Sequence, residues 1–184
     1  MQRALFEHIN IKRERTFLPD GMAPDLEAGC LAYEQAIERA GGIDLQLLGI
    51  GLNGHLAFNE PLSSLTSRTR TKSLTPETRQ QNSSFFGGAD KVPSRAITMG
   101  VGTILESRWC VLLATGDSKA EILQRAIEGP VQSVITASAL QMHRRCTVIV
   151  DEPAASKLQH REYYRWVFGN EPEWAPYRAI VHGE

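Results

Sequence analysis

A short apolar run at residues 45–50 leads directly into a bend rich in glycine. The run is too short for a typical helix, and its leucines and isoleucine indicate a strand buried in a mainly parallel sheet. The glycines that follow allow the backbone to turn sharply where that strand ends. Comparable runs at residues 95–99, 109–115 and 146–151 alternate with helical patterns. The sequence therefore predicts an α/β fold in which a mainly parallel, Rossmann-like sheet is flanked by helices.

Several helices have clear sequence signals. Apolar residues recur every three or four positions over residues 26–37 and stop at Gly41, which predicts a helix that ends at the glycine. Thr75 followed by Pro76 is typical of a helix start. A further helix is predicted over residues 154–166.

Three polar side chains follow the first strand at short spacing, namely Asn53, His55 and Glu60. In open α/β sheets, ligands bind beyond the carboxyl ends of the strands, which is where these residues lie. Histidine gains and loses a proton near neutral pH, and a neighbouring carboxylate or amide can orient it. The group predicts a site for proton transfer, although a loop histidine with a purely structural role has the same pattern.

The glycines at positions 49, 51 and 54 also match the dinucleotide-binding fingerprint, which would indicate an NAD(P)-dependent oxidoreductase. That fingerprint requires a helix that begins at its third glycine, so that the helix N-terminus faces a pyrophosphate. Pro61 would interrupt such a helix within two turns. We therefore expect that the chain does not bind a nicotinamide cofactor.

Basic residues at two other places raise the question of a bound anion. Arg68, Arg70 and Lys72 would share one face of an extended segment, where three cations need either solvent or an anion. Lys119 follows the strand predicted at residues 109–115, at the start of an amphipathic helix. A loop, a helix N-terminus and a lysine can hold a phosphate, but the same arrangement also serves as an ordinary helix cap.

Length and composition narrow the class of protein. We predict a single domain over residues 1–184, because a chain of 184 residues can bury a core of its own. The net charge of −1 argues against nucleic acid or an anionic membrane as a partner. A cytoplasmic protein is expected, since the sequence has no apolar stretch of membrane-spanning length and no signal peptide. The three cysteines are widely spaced, so neither disulfides nor a metal site is predicted.

Residues 49–61 resemble the signature segment of the glucosamine-6-phosphate deaminases, and the similarity continues through most of the chain, for example at residues 137–143. The resemblance implies an enzyme that isomerises and deaminates glucosamine 6-phosphate to fructose 6-phosphate and ammonia without a cofactor. In such an enzyme His55 would shuttle the proton that opens the pyranose ring, with help from Asn53 and Glu60.

The resemblance also implies binding roles for other residues. Gly54 and Lys119 would bind the substrate, the lysine at its phosphate. An allosteric site for an effector such as N-acetylglucosamine 6-phosphate would be formed by Ser63, Arg70, Lys72 and Ser73. A regulatory site and an aromatic tail at residues 163–177 favour a homo-oligomer over a monomer.

Two features of that family are not found in the sequence. Relatives begin with strands that precede Met1 of this chain and that carry a phosphate loop and the aspartate that takes the proton from the sugar C2. Ser84 stands where many relatives have a phosphate-binding arginine. We therefore expect an N-terminally truncated form with little activity. A non-catalytic phosphosugar-binding remnant or subunit is the alternative, and the sequence does not distinguish gluco from galacto substrates.

Overall fold

The structure, a computed structural model, describes residues 2–182. The helices within that range are α1 (Leu26–Arg39), α2 (Pro76–Gln81), α3 (Ser83–Phe86), α4 (Val101–Leu105), α5 (Ala120–Ile127), α6 (Glu152–Ala155), α7 (Arg161–Asn170) and α8 (Ala175–His182). The strands in the same range are β1 (Gln46–Leu48), β2 (Arg70–Ser73), β3 (Arg95–Thr98), β4 (Cys110–Ala114) and β5 (Cys146–Val150). Short 3-10 turns connect several of these elements.

The strands form two separate sheets. The larger sheet has the order β1-β4-β5 with parallel pairing throughout, which confirms the prediction of an α/β fold with a mainly parallel sheet. The smaller sheet pairs β2 with β3 in antiparallel register, with Arg70 opposite Thr98. The prediction that residues 95–99 form a further buried strand of the parallel sheet is therefore wrong. An apolar run predicts a strand but does not say which partner it pairs with, and here the partner is the basic segment.

The hydrophobic core lies on one face of the parallel sheet. Leu48 and Leu112 are opposite each other on β1 and β4, and both are buried. The amphipathic helix α5 covers this face with Ile122 and Leu123, which belong to the same hydrophobic cluster. The burial explains why the leucines of residues 45–50 form a strand, because alternate side chains of that strand enter the core.

The opposite face of the parallel sheet is exposed over part of its area. Leu47 of β1 is 60% exposed and Ile149 of β5 is 52% exposed, and Leu113, the register partner of Ile149, is also exposed. Leu45, just before β1, is exposed as well. We call these four residues the open sheet face. Parallel sheets are normally covered on both faces, so a row of exposed aliphatic side chains is unusual for this kind of sheet.

We expect the chain to self-associate through the open sheet face. Burying four aliphatic side chains favours association by about 25 cal/mol for each Å² of apolar surface removed from water. Ile149→Lys should shift the average mass measured by light scattering towards that of the monomer. Lys157→Met, which changes a lysine that pairs with Glu121 at the surface, serves as a control of similar size. A stable monomer of the unmodified chain at high concentration would contradict the expectation.

The ends of the first helices are those that the sequence predicts. Helix α1 begins after Asp25, whose carboxylate accepts a hydrogen bond from the Ala28 amide at 2.9 Å, and it ends just before Gly41. Helix α2 begins at Pro76 after Thr75, whose hydroxyl caps it. Capping side chains satisfy amide groups that have no partner within the helix, so these boundaries follow from local chemistry.

The helix predicted over residues 154–166 is wrong in its extent. Two helices form instead of one: the short helix α6 ends early, and α7 begins after a non-helical segment. The Glu128 carboxylate accepts hydrogen bonds from the amides of Gln159 and His160 at 2.9–3.0 Å and so caps α7 from the end of a different helix. Since Glu128 is far from this segment in sequence, the local apolar pattern could not predict the break.

The aromatic tail packs partly on itself. Tyr163 and Trp166 are stacked with an interplanar angle of 13°, and both are exposed. Trp174 contacts Phe168 and Tyr177 in tilted arrangements. Within residues 2–182, no helix has both the length and the apolar composition needed to cross a lipid bilayer.

Candidate functional site

The loop after β1 is a tight bend held by its own backbone. The Gly51 amide donates to the His55 carbonyl at 3.0 Å, and the Gly54 amide donates to the Gly51 carbonyl at 2.9 Å. Gly54 has φ 84°, a left-handed conformation that glycine adopts most readily. The chain continues from Gly54 through turns and not through a helix. The helix that the dinucleotide fingerprint requires at its third glycine is therefore not formed.

Two glycines of this bend are in close contact with side chains. A β-carbon on Gly54 would lie 2.6 Å from Cγ2 of Ile135 and 2.9 Å from Cδ1 of Ile122, both in the core. A β-carbon on Gly51 would lie 2.5 Å from Nε2 of His55, so the imidazole packs directly against the Gly51 backbone. Glycine at these positions thus lets the loop pack on the core and holds the imidazole at the strand end.

The structure brings together the three polar side chains that the sequence singles out. Nδ1 of His55 lies 3.4 Å from Oε2 of Glu60, and Nδ2 of Asn53 donates to the same carboxylate oxygen at 3.0 Å. Oδ1 of Asn53 accepts a hydrogen bond from the backbone amide of His55 at 3.2 Å. His55 retains 8% of its surface exposed and Glu60 retains 3%, so the group is shielded but His55 is not sealed off from solvent.

Glu60 is held as a carboxylate by several donors. Oε1 accepts a hydrogen bond from the Thr75 amide at 3.0 Å, at the start of helix α2. Burial acts to raise the pKa of Glu60, but hydrogen bonds from Thr78, Thr75 and Asn53 together with the nearby His55 outweigh it, and the pKa lies below its ordinary value. Glu60 is therefore ionised at neutral pH and can stabilise a proton on His55.

The pKa of His55 is lowered as well, which for an imidazole favours the neutral form. Burial is the largest influence and lowers its pKa, because the charged imidazolium loses solvation. Glu60 acts to raise the pKa of His55, whereas the positive charge of Lys119 acts to lower it, and the result lies below the ordinary value of 6.5. The imidazole is thus neutral at pH 7 and available to accept a proton.

Lys119 lies at the same end of the parallel sheet. It ends the 3-10 turn Asp117–Lys119, which connects β4 to α5. Its Nζ donates a hydrogen bond to the backbone carbonyl of Ile50 at 2.7 Å, directly beside the bend that carries His55. The structure therefore places the lysine predicted to bind a phosphate next to the residues predicted to transfer a proton.

Asn59 is a residue of this loop that sequence reasoning missed. Its side chain is completely buried, and Nδ2 donates to the carbonyls of Leu56 and Met99 at 3.0 and 2.8 Å. Its Oδ1 accepts a hydrogen bond from Nη1 of Arg70 at 3.0 Å. Asn59 thus joins the loop to Met99, which lies between β3 and α4, and to Arg70 of β2. The only available signal was its position inside the unusual motif, because its partners are distant in sequence.

The residues predicted to form an allosteric site are brought together only in part. The hydroxyl of Ser63 is buried and donates to the Glu60 carbonyl at 2.6 Å, and Arg70 contacts the neighbouring Asn59. Lys72 lies on β2 on the same side as Arg70, whereas Ser73 lies on the other side and is exposed. Within the described range, Ser63 and Arg70 are the two of these four that contact the loop.

Arg68 differs from the other cations of the basic segment because acidic residues neutralise it. Its guanidinium pairs with Glu34 of α1 at 2.8 Å and with Glu106 at 2.6 Å. The Glu34 carboxylate also accepts hydrogen bonds from Thr69 and from the hydroxyl of Thr103. The prediction that three cations share a face therefore overestimates the charge that is free to attract an anion.

Ser84 lies on the short helix α3, where it is exposed, and the adjacent Phe85 is 81% exposed. A cavity of about 900 Å³ lies between α1 and residues 68–71, and His55 is not among the residues that line it. Among residues 2–182, no group of three or more histidine, cysteine, aspartate or glutamate side chains is arranged to hold a metal ion.

Comparison with known proteins gives consistent results. The family model described as glucosamine-6-phosphate isomerases/6-phosphogluconolactonase matches residues 1–149. The chain is 51% identical over 175 residues to a glucosamine-6-phosphate deaminase of Streptomyces coelicolor, with 95% of this chain and 67% of that protein covered. It is 54% identical over 167 residues to a glucosamine-6-phosphate deaminase of Hahella chejuensis, with 91% of this chain and 64% of that protein covered.

Solved structures agree with this result. A monomeric glucosamine-6-phosphate deaminase is 48% identical and superimposes with a TM-score of 0.80 over 83% of this chain and 63% of that chain. A 6-phosphogluconolactonase of Thermotoga maritima has a TM-score of 0.59 at 22% identity, covering 81% of this chain and 61% of that one, which shows a shared fold alone. The chain spans about two thirds of the length of the relatives that it matches.

Proposed function

Since this chain belongs to the glucosamine-6-phosphate deaminase family, we propose that its site acts on glucosamine 6-phosphate and opens the pyranose ring of that sugar. The observation that carries the proposal is the group formed by His55, Glu60 and Asn53 at the end of β1. A neutral imidazole beside an ionised carboxylate is the arrangement that moves a proton at neutral pH.

The ring-opening step follows from the properties of these groups. His55 takes the proton of the anomeric hydroxyl and delivers it to the ring oxygen, while the bond between C1 and the ring oxygen breaks and C1 becomes an aldehyde. Glu60, 3.4 Å from Nδ1, stabilises the imidazolium that exists between the two transfers. Asn53 holds the carboxylate through its amide group. The proton returns to the sugar, so the enzyme group is regenerated.

Isomerisation and deamination require a further base. A proton must move from C2 to C1, after which water adds at C2 and ammonia leaves, giving fructose 6-phosphate. Among the described residues, Glu60 is the carboxylate that lies beside His55. Its two oxygens already accept hydrogen bonds from Thr75 and Asn53, so it is not free to act as the C2 base. We therefore propose that this chain opens the ring efficiently and releases ammonia slowly.

Lys119 supplies the proposed contact with the substrate phosphate. Its ammonium group has three hydrogen-bond donors, and the hydrogen bond to Ile50 uses one of them. Burial lowers the pKa of Lys119 from its ordinary value of 10.5, and its ammonium group acts as a positive charge on the nearby His55. Gly54, the other residue proposed to bind the substrate, lets the bend pack on the core, because a β-carbon there would collide with Ile135 and Ile122.

The two half-reactions can be measured separately. Ring opening alone interconverts the α and β anomers of glucosamine 6-phosphate, so exchange NMR should show faster anomerisation in the presence of the purified chain. Ammonia release, followed in the same sample, should be much slower than anomerisation. Absence of any catalysed anomerisation would contradict ring opening, and ammonia release as fast as anomerisation would contradict the proposed lack of a C2 base.

A second candidate is a protein that binds amino-sugar phosphates without converting them, and the contact of Arg70 with the loop favours it. Arg70 and Ser63 would then form the effector site for N-acetylglucosamine 6-phosphate, together with Lys72 and Ser73. Calorimetry with that sugar phosphate should show binding that Arg70→Ala weakens by about 10- to 100-fold, since a charged hydrogen bond is worth about 1.5–3 kcal/mol. Arg145→Ala, at a cation that stacks on Trp109 elsewhere, is the matched control.

The assembly and location of the protein remain part of the proposal. A homo-oligomer is proposed because the open sheet face and the exposed aromatic tail offer apolar contact surfaces. The solved deaminase with 48% identity is monomeric, so an oligomer is not a property of all relatives. We also propose that residues 1–184 act as one α/β domain in the cytoplasm, without a nucleic-acid or membrane partner.

A further inference from the structure

His55 and Lys119 contact the same short piece of backbone. The Ile50 carbonyl accepts a hydrogen bond from Nζ of Lys119 at 2.7 Å. The next residue, Gly51, lies against the imidazole, because a β-carbon there would be 2.5 Å from Nε2 of His55. The ammonium group and the imidazole are therefore held beside a single peptide unit at the end of β1.

The position of Lys119 is set by contacts of its own turn. The Gly116 amide at the start of that turn donates to both oxygens of the Asp151 carboxylate at 3.0 Å. Asp151 directly follows β5 and also caps α6. This contact fixes the turn to the end of β5. The backbone of Lys119 is therefore held close to Ile50, and the position of its ammonium group does not depend on the flexible side chain alone.

The charges around His55 oppose one another. Within residues 2–182, the charged groups that influence its protonation are Glu60, which favours the imidazolium, and Lys119, which disfavours it. The bend itself contributes the neutral groups Asn53 and Gly51, and the nearby ring of Phe58 is also neutral, with its centroid 6.2 Å from that of His55. A group that cancels the charge of Lys119 therefore leaves Glu60 as the remaining charge that acts on His55, opposed only by the effect of burial.

We propose that an anion bound at Lys119 makes His55 a stronger base, so that the phosphate of the sugar activates the imidazole that opens the ring of the same sugar. The anion neutralises the cation that holds protons away from the imidazole. A stronger base takes the proton of the anomeric hydroxyl more readily, which lowers the barrier to ring opening. The identification of the anion as a sugar phosphate rests on the proposed function, whereas the coupling between the two side chains does not.

An NMR titration with sulfate tests the coupling directly. Sulfate keeps its double negative charge across the pH range in which histidine titrates, so its own protonation does not interfere. The midpoint of the His55 ring signal, assigned by comparison with His55→Gln, should rise by roughly 0.5 to 1 pH unit in sulfate compared with chloride of the same ionic strength. Binding of sulfate is verified by calorimetry in the same buffers.

Variants separate the coupling from general screening. Lys119→Met should raise the His55 midpoint without sulfate by a similar amount and should remove the response to sulfate. Lys119→Arg keeps the charge and should keep a low midpoint, and Lys157→Met, at a surface ion pair with Glu121, should change nothing.

Two results would overturn the proposal. One is sulfate binding that leaves the His55 midpoint unchanged, and the other is a Lys119→Met variant that titrates like the unmodified protein. Failure of the proposed function would appear separately, as a lack of catalysed anomerisation, which this titration does not require.

Discussion

Replacing His55 by glutamine is expected to reduce catalysed anomerisation of glucosamine 6-phosphate by a factor of roughly 100 or more. General acid–base catalysis by a positioned side chain contributes about 10²–10⁴-fold, and glutamine can form hydrogen bonds but cannot carry the proton between the two sugar oxygens. The measurement is exchange NMR of the two anomers at neutral pH, with the rate in buffer subtracted. His8→Gln, at an exposed histidine of the N-terminal segment, is the matched control and should leave the rate unchanged.

The same assay reports the electrostatics of the site. Because burial and Lys119 lower the pKa of His55, the imidazole remains neutral at pH values somewhat below 6.5. At limiting substrate, where the rate reports the free enzyme, the catalysed rate should therefore fall to half only at a pH below 6.5, where the ring becomes protonated and can no longer accept a proton. A rate that already halves above pH 6.5, or a glutamine variant with full activity, would show that His55 is not the base.

Replacing Gly54 by alanine is expected to destabilise the fold by about 3 kcal/mol. Part of this cost is the left-handed backbone at φ 84°, which costs a residue with a β-carbon about 1–2 kcal/mol. The larger part is steric, because the new methyl group would lie 2.6 Å from Ile135 and 2.9 Å from Ile122 in a packed core. Overpacking of this kind typically costs about 1–3 kcal/mol. Urea unfolding measures the change in the free energy of unfolding.

Two other glycines separate the backbone cost from the steric cost. Gly41 has φ 85° with no atom within 4 Å of a β-carbon, so Gly41→Ala should cost about 1–2 kcal/mol from the backbone alone. Gly49 has neither a left-handed φ nor a close neighbour, and Gly49→Ala should change stability by less than about 1 kcal/mol. Equal effects of the three substitutions would mean that contacts of Gly54 with the core do not determine the stability of the bend.

Much of the framework could be predicted because its causes are local. Helix α1 is bounded by the carboxylate of Asp25 and by Gly41, and α2 by Thr75, all within one turn of the helix that they affect. The apolar runs of β4 and β5 indicated strands from their own composition. In contrast, the pairing of β3 with β2 and the break before α7 depend on partners far along the chain, and the apolar pattern contains no information about them.

Asn53, His55 and Glu60 could be identified from the sequence because eight consecutive residues bring them together. A bend of that length, with glycine at its closest contacts, leaves few ways to separate the three side chains. Their assembly in the structure is therefore a consequence of local geometry, and the resemblance to the deaminases identified the chemistry.

The properties of that group were decided only by the tertiary structure. The hydrogen bonds of Thr75 to Glu60 and of Lys119 to Ile50 join segments that are 15 and 69 positions apart. The direction of the His55 pKa depends on burial and on Lys119, and neither can be read from the motif. The sequence by itself determined which elements form and which side chains share the bend, because propensity and capping act over a few residues. Packing of distant segments determined the charge, shielding and basicity of the site, because electrostatic and desolvation effects depend on distance in space.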